Sequence, residues 1–286
     1  MSTFRTLKHQ LRDHAGPVYR ALMIPLRLAT GLKHTGGGVG RVFAWSLRSR
    51  EDTNFTYSLS ETNQRYLAHM IAVVSGAPVS ECRRYIEEAA SDADLHRHVV
   101  ERTLESPFRG HSDAEPRFAR RLGWYALVRL MRPRLVVETG VDKGLGSVLL
   151  CSALLRNAQD GYPGEYRGTD INPAAGWLLS GTYATVGGIM YGDSIASLEQ
   201  LTSPIDLFIN DSDHSASYEA REYETIAGKL SRDGIILGDN AHVSDALQRF
   251  SESHARDFLY FQEEPVDHWY PGAGIGFSFK RKQIPN

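Results

Sequence analysis

The spacing of apolar residues changes character near residue 116. After Ser60-Glu-Thr-Asn63 they recur at Tyr66, Leu67, Met70, Ile71 and Val74, which predicts a helix with one buried face. Gly76-Ala-Pro78 ends it, and Cys82, Tyr85, Ile86 and Ala89 mark the same pattern again. Asp92 to Leu104 predicts a further helix and Pro107–Pro116 a loop. Upstream, Leu22, Leu26 and Ala29 stand at helical spacing, Pro25 predicts a break, and Gly36–Gly38 with Gly40 predicts a flexible joint. No strand is predicted in residues 1–115.

From there on, helical stretches alternate with short apolar runs. A helix over 117–131 carries Phe118, Leu122, Tyr125, Leu127 and Leu130. Leu135–Glu138, Tyr166–Asp170, Gly188–Tyr191, Ile205–Asn210, Gly234–Gly238, Phe258–Gln262 and Ile275–Lys280 read as strands. Helices are predicted over Ser147–Asn157, Ala174–Val186, Ser217–Leu230 and Ser244–Ala255. Strands that alternate with helices imply a mostly parallel sheet covered on both faces. The expected division is a helical region, 1–115, and an α/β catalytic domain, 116–286.

Composition sharpens this picture at two points. With 286 residues, 42% hydrophobic and 23% charged, wholesale disorder, collagen-like chains and disulfide scaffolds are excluded. The net charge of -2 hides an asymmetry: residues 1–50 hold nine Lys/Arg and only Asp13 as an acid. The arm is basic and the body acidic. It reads as an oligomer contact in a homo-oligomer, as a peripheral contact to an anionic membrane or lipid-linked acceptor, or as a nucleic-acid contact. The last is disfavoured because dense Lys/Arg runs interleaved with aromatics are missing. Cys82 and Cys151 read as buried thiols of a reducing compartment. With no secretory pattern and no apolar run long enough to span a bilayer, the expected location is cytoplasmic, with membrane-peripheral attachment left open.

The most informative segment is Leu135-Val-Val-Glu-Thr-Gly-Val-Asp-Lys-Gly-Leu-Gly146. An apolar strand ends in an acid, Glu138, and Gly140, Gly144 and Gly146 then punctuate the turn into a helix, where a ligand can approach the backbone closely. A dinucleotide loop would read G-x-G-x-x-G; here the spacing is G-x-x-x-G-x-G. That pattern resembles the first motif of class I S-adenosylmethionine-dependent methyltransferases, which have a Rossmann-like, doubly wound fold with a mostly parallel seven-stranded sheet. The resemblance implies S-adenosylmethionine as cofactor, Asp170 as the acceptor for its ribose hydroxyls, and Asp193 with Ser194 beside its adenine.

Two further strand ends add chemistry. Ile205-Asp-Leu-Phe-Ile-Asn-Asp-Ser-Asp-His214 and Gly234-Ile-Ile-Leu-Gly-Asp-Asn240 would deliver Asp211, Asp239 and Asn240 to one rim of the sheet. Two carboxylates and an amide carbonyl make a hard oxygen site that suits Mg2+. These segments resemble the metal motifs of the cation-dependent O-methyltransferases, the catechol and caffeoyl-CoA type, and of related methyltransferases of sugars and natural products. The resemblance covers about 117–282 and implies that Asp211, Asp239 and Asn240 are the metal ligands. That family carries a lysine three residues after the first ligand; here His214 stands there and is the preferred base, with His242 as the rival base or an extra ligand. Asp213 could orient a histidine or bind solvent.

The implied activity is metal-assisted methyl transfer to a hydroxyl of a small molecule or glycan, a sugar or glycosylated natural product being favoured over a catechol. Asp52–Tyr57 and His268–Gly274 are the expected acceptor-side segments. A metal-independent N- or O-methyltransferase and a non-catalytic cofactor-binding protein remain as alternatives.

Overall fold

The computed structural model describes residues 24–51, 55–110 and 112–281, and of residues 26–37 the backbone alone. In chain order the elements are α1 (Ile24–Arg48), β1 (Ser58–Leu59), α2 (Glu61–Ser75), α3 (Val79–Ala90), α4 (Ala93–Glu105), α5 (Arg121–Met131), β2 (Leu135–Thr139), α6 (Leu145–Gln159) and β3 (Glu165–Asp170). A 3-10 turn, Gly181–Val186, leads to β4 (Gly187–Tyr191), α7 (Ser194–Glu199), β5 (Ile205–Asn210), α8 (Ala216–Ala227), β6 (Leu230–Asp239), α9 (Ala246–Ser253), β7 (Asp257–Gln262), β8 (Pro265–Val266) and β9 (Gly274–Phe279).

Seven strands form one sheet in the order β4-β3-β2-β5-β6-β9-β7. The first five are parallel, and β9 runs antiparallel between β6 and β7. Central strands must be apolar on both faces, and β2 and β5 are: Val136, Val137, Leu207, Phe208 and Ile209 are all buried. The chain reverses its winding direction between β2 and β5, so their carboxyl ends open a crevice. This is the mostly parallel sheet expected from the alternating pattern, in the Rossmann-like α/β arrangement that the glycine-loop resemblance implies.

Contacts divide the described chain into two compact units. One is α1 with Ser49 and Asp267–Trp269; the other runs Arg50–Val266 and resumes at Tyr270. The expected division at residue 115 is not where contacts thin out. Leu67, Ile71, Ile86 and Leu95 of α2 to α4 share a buried cluster with Trp124 of α5 and Leu149 of α6, so these helices belong to the same unit as the sheet. Their ends follow local chemistry. Ser60 and Asp92 accept from the backbone N–H of Asn63 and Leu95, and Gly76 closes α2 in the left-handed region. Cys82 and Cys151 are buried and free.

Four local expectations are corrected. Residues 1–115 do contain a strand: Ser58 and Leu59 pair with Val266 and Pro265, a bridge set by a distant partner that leaves no periodic trace. The backbone of α1 runs unbroken through Gly36–Gly38 and Gly40, since glycine costs a helix about 1 kcal/mol relative to alanine without forbidding it. Pro25 is the second described residue of that helix, and the residues before it on which the expected break bears, Leu22 among them, lie outside the described residues. The helix expected over Ala174–Val186 is replaced by turns. Gly176 and Gly181 both take left-handed φ, 74° and 58°, and the chain holds only the 3-10 segment. The helix expected from 117 starts at Arg121, after Ala119 turns left-handed.

Candidate active site

The carboxyl ends of β2 to β6 surround a cavity of about 710 Å³. Its floor is the loop after β2. Gly140 has φ 77°, and a Cβ there would lie 2.0 Å from the carbonyl oxygen of Asp211, so only glycine lets this loop pass the end of β5. Gly144, also left-handed, precedes α6, and a Cβ on Gly146 would strike the Glu138 carboxyl and the Trp124 ring. Gly140, Gly146 and Glu138 line the cavity; Gly144 lies in the same loop without lining it. Glu138 is buried and accepts hydrogen bonds from Ser147 (2.9 Å) and from Tyr166. Burial pushes its carboxyl up to about 7, against those two hydroxyl donors.

Asp170, Asp193 and Ser194 line the same cavity. The Asp170 carboxylate accepts the backbone N–H groups of Asp142 (3.0 Å) and Asn172 (2.8 Å), which fix its direction while leaving lone pairs for further donors. Asp193 caps α7 through the N–H of Ala196 (3.0 Å) and accepts from the Tyr218 hydroxyl (2.9 Å). The Ala196 bond is the main reason its carboxyl sits below the usual range. Thr169 Oγ1 and Arg121 Nε, both on residues that line the cavity, are buried without a protein partner.

At the other end stand Asp211, His214 and Asp239, each offering a ligand atom within 4.8 Å of the others. Asn240, at φ 52°, sends its Nδ2 to His214 Nε2 (3.0 Å). The opposite ring nitrogen, Nδ1, faces the buried Glu219 at 3.4 Å. With Nε2 accepting, Nδ1 carries the proton and donates it to Glu219. That hydrogen bond raises the His214 pKa above its ordinary value, outweighing partial burial. His242 is exposed and does not line the cavity. Asp213 lines it but spends Oδ1 on the N–H of Ser215 (2.8 Å).

Two arginines reach these carboxylates, and sequence reasoning missed both. Arg120 forks onto both oxygens of Asp239 and lies 3.2 Å from Glu263, all three being buried. Glu263 also accepts the backbone N–H of Arg120 (2.9 Å) and the Tyr57 hydroxyl (2.7 Å). Burial opposes ionisation of Asp239, but the guanidinium beside it wins and lowers its pKa. Arg121 stands 3.6 Å from Asp211. Burial, and then the charge of Asp239, hold the Asp211 carboxyl well above the usual range. An Arg-Arg pair ahead of an apolar helix looks like any solvated helix start. Its signal is only that neither arginine has an acid at i+3 or i+4.

Beneath the cavity, the buried Glu222 of α8 accepts from Thr139 (3.2 Å), Ser212 (2.8 Å), Ser194 and Asn210. Above it, Phe55, Thr56, Tyr57, Tyr270 and Ala273 line the wall, with ring centroids of Phe55 and Tyr57 5.6 and 5.8 Å from that of Tyr270. The two acceptor-side segments expected from the sequence thus each place residues here. Residues 52–54 lie outside the described residues, and His268 and Trp269 group with α1. Glu51, also missed, holds Lys143 at 3.0 Å and Thr56.

Residues 137–241 match a family model described as a methyltransferase domain, a little over a third of the chain. No curated protein matches the chain significantly. Among solved structures, the chain is similar to the O-methyltransferase TomG from Streptomyces achromogenes, involved in tomaymycin synthesis and in complex with SAM. Identity is 16%, 67% of this chain and 91% of that one are covered, and the TM-score is 0.49. It is also similar to an O-methyltransferase from Bacillus cereus in complex with SAH, at 17% identity, 66% and 92% coverage and a TM-score of 0.46. SAH-bound methyltransferase PaMTH1 from Podospora anserina gives 18%, 66%, 88% and 0.47. The match of residues 137–241 to a methyltransferase-domain model agrees with the class I resemblance drawn from the glycine loop.

Proposed function

We propose that the chain is an S-adenosylmethionine-dependent O-methyltransferase acting on a hydroxyl of a small molecule or glycan, with a divalent cation such as Mg2+ at Asp211, Asp239 and Asn240. One observation carries this reading. The glycine loop, Asp170 and Asp193 line the same cavity as Asp211, His214 and Asp239.

The residues fit both groups. A methyl donor with a ribose and an adenine matches the loop that admits close backbone approach, the oriented Asp170 carboxylate and the unpartnered Thr169 Oγ1. A hard cation matches the oxygen donors of Asp211, Asp239 and Asn240, and its charge would favour ionisation of the Asp211 carboxyl, which burial and Asp239 otherwise oppose. When bound, S-adenosylmethionine supplies an electrophilic methyl group on a sulfonium, and the cation lowers the pKa of an acceptor hydroxyl.

His214 Nε2 is the base. Its role would be to take the proton of the acceptor hydroxyl as that oxygen is methylated. Glu219 steadies the imidazolium through Nδ1. Asn240, donating to Nε2 at 3.0 Å, holds the ring in register until the acceptor displaces it. The loop and the strand ends hold the reactants in line, which supplies much of the acceleration. Phe55, Tyr57 and Tyr270 set aromatic faces beside carboxylates, a surface suited to a sugar ring with apolar faces and polar edges. Together with histidine in place of the lysine of catechol-type enzymes, this favours a sugar or a glycosylated natural product.

A second reading has its own observation. Arg120 already occupies both oxygens of Asp239, so a guanidinium supplies the positive charge and no metal is needed. Methyl transfer from labelled S-adenosylmethionine to a panel of sugar and phenolic acceptors tests the function. Calorimetric titration of Mg2+ into the protein, with and without S-adenosylhomocysteine, separates the readings. No transfer to any acceptor and no S-adenosylhomocysteine binding would sink the proposal; transfer that survives EDTA, with no Mg2+ binding, would leave the arginine reading.

A further inference from the structure

Helix α1 presents an apolar stripe to solvent. Val39, Val42, Phe43 and Leu47 fall at i, i+3, i+4 and i+8, which places them along one face. Ile24 precedes Val42 by five full turns and shares that face. All five are exposed, Val39, Phe43 and Leu47 at 73%, 67% and 71%. Arg41 and Arg48, also exposed, lie on the opposite side of the helix. Trp45 lies off the stripe and packs on His268 and Trp269, with ring centroids 6.1 and 5.5 Å apart. The sequence has no acid between Asp13 and Glu51, while Arg20, Arg27, Lys33, Arg41, Arg48 and Arg50 fall in that interval. Among the described residues no helix is long and apolar enough to cross a membrane.

We propose that α1 lies in the surface of an anionic lipid bilayer, with Val39, Val42, Phe43 and Leu47 among the acyl chains and Arg41 and Arg48 at the headgroups. An exposed apolar face backed by cations is what such a surface binds: area buried in the acyl boundary adds to attraction by anionic lipid. Charge complementarity selects this occupant over a second copy of α1. A second copy of α1 would cover the stripe but leave Arg41 and Arg48 of both helices facing away from the seam, with no acid on either helix to pair them. A phosphate backbone would leave the apolar stripe in water.

The test is flotation of the full chain with vesicles of phosphatidylcholine alone and of phosphatidylcholine with phosphatidylglycerol. The chain floats with the anionic vesicles and much less with the neutral ones, and added salt releases it. Phe43→Glu with Leu47→Glu lowers vesicle affinity by about a hundredfold or more, since burying each apolar side chain is worth roughly tenfold or more. Arg41→Glu with Arg48→Glu lowers it for anionic vesicles alone. S-adenosylhomocysteine affinity, the same in both variants as in the parent, shows that the fold is kept. Two results overturn the proposal. One is no flotation with anionic vesicles. The other is a dimer at sedimentation equilibrium that Phe43→Glu with Leu47→Glu dissociates, which assigns the stripe to a second copy.

Discussion

Arg120 is the residue whose removal tests the architecture of the site most directly. Its side chain is 8% exposed, and it forks onto Asp239, which is 1% exposed, with Glu263 at 3.2 Å. Replacing it with methionine keeps most of the volume and deletes the charge. Two buried carboxylates, Asp239 and Glu263, then lose the cation they share. Breaking a buried ion pair by removing one partner costs about 3–5 kcal/mol. For a unit of this size that lowers Tm by roughly 10 °C. The assay is urea unfolding of Arg120→Met at neutral pH with EDTA present, read as a fall in midpoint at unchanged m-value. Arg120→Met with Asp239→Asn removes one of the stranded charges and recovers part of the loss, a coupling of about 0.5–3 kcal/mol. A loss under about 1 kcal/mol, or no coupling, refutes the claim that this guanidinium is the counter-charge of Asp239. If Mg2+ restores the single variant, a cation can take the position the guanidinium leaves.

The remaining expectations concern binding, turnover and pH. Glu138 is held up at about 7 in the fold against 4.5 when solvated, so the unfolded chain loses its proton first as pH rises. Stability from this group is therefore full below pH 4.5 and falls by about 3 kcal/mol toward pH 7. Glu138→Gln flattens that slope in urea midpoints measured across the range, and an unchanged slope refutes it. Asp170→Asn weakens S-adenosylhomocysteine binding by about tenfold or more, since charge-assisted hydrogen bonds are worth roughly 1.5–3 kcal/mol; equal calorimetric affinity removes its ribose role. His214→Ala lowers kcat by about 10²–10⁴-fold with cofactor affinity intact. Because Glu219 raises the His214 pKa, the parent's rate climbs with pH through a midpoint above 6.5. A flat profile would move proton acceptance to solvent.

The parallel sheet was legible because strands buried on both faces must be runs of Val, Ile and Leu. The loop after β2 was legible because close backbone approach demands glycine at Gly140. Both signals are local. What escaped was made by distant pairs. Nothing in Ser58-Leu59 announces Val266 and Pro265, and nothing in Arg120 announces Asp239, 119 positions away. The segment after Asp170 misled for the opposite reason. Its apolar residues suggest a helix, but a Cβ on Gly176 would lie 1.9 Å from the Ile189 side chain, and a left-handed glycine there turns the chain. His242 drew notice by standing two residues from Asn240, yet the turn after β6 leaves it exposed.

Glu222 has a consequence for motion. One carboxylate gathers Thr139 from the end of β2, Asn210 and Ser212 from β5 and the turn after it, and Ser194 from the start of α7. Moving any one of them away removes a hydrogen bond from a fully buried carboxyl, which couples the opening of their backbones. Hydrogen exchange should find the amides of Thr139, Asn210 and Ser194 exchanging as one slow group. The aromatic wall of Phe55, Tyr57 and Tyr270 is joined instead by ring-on-ring packing, so its amides should exchange independently of that group.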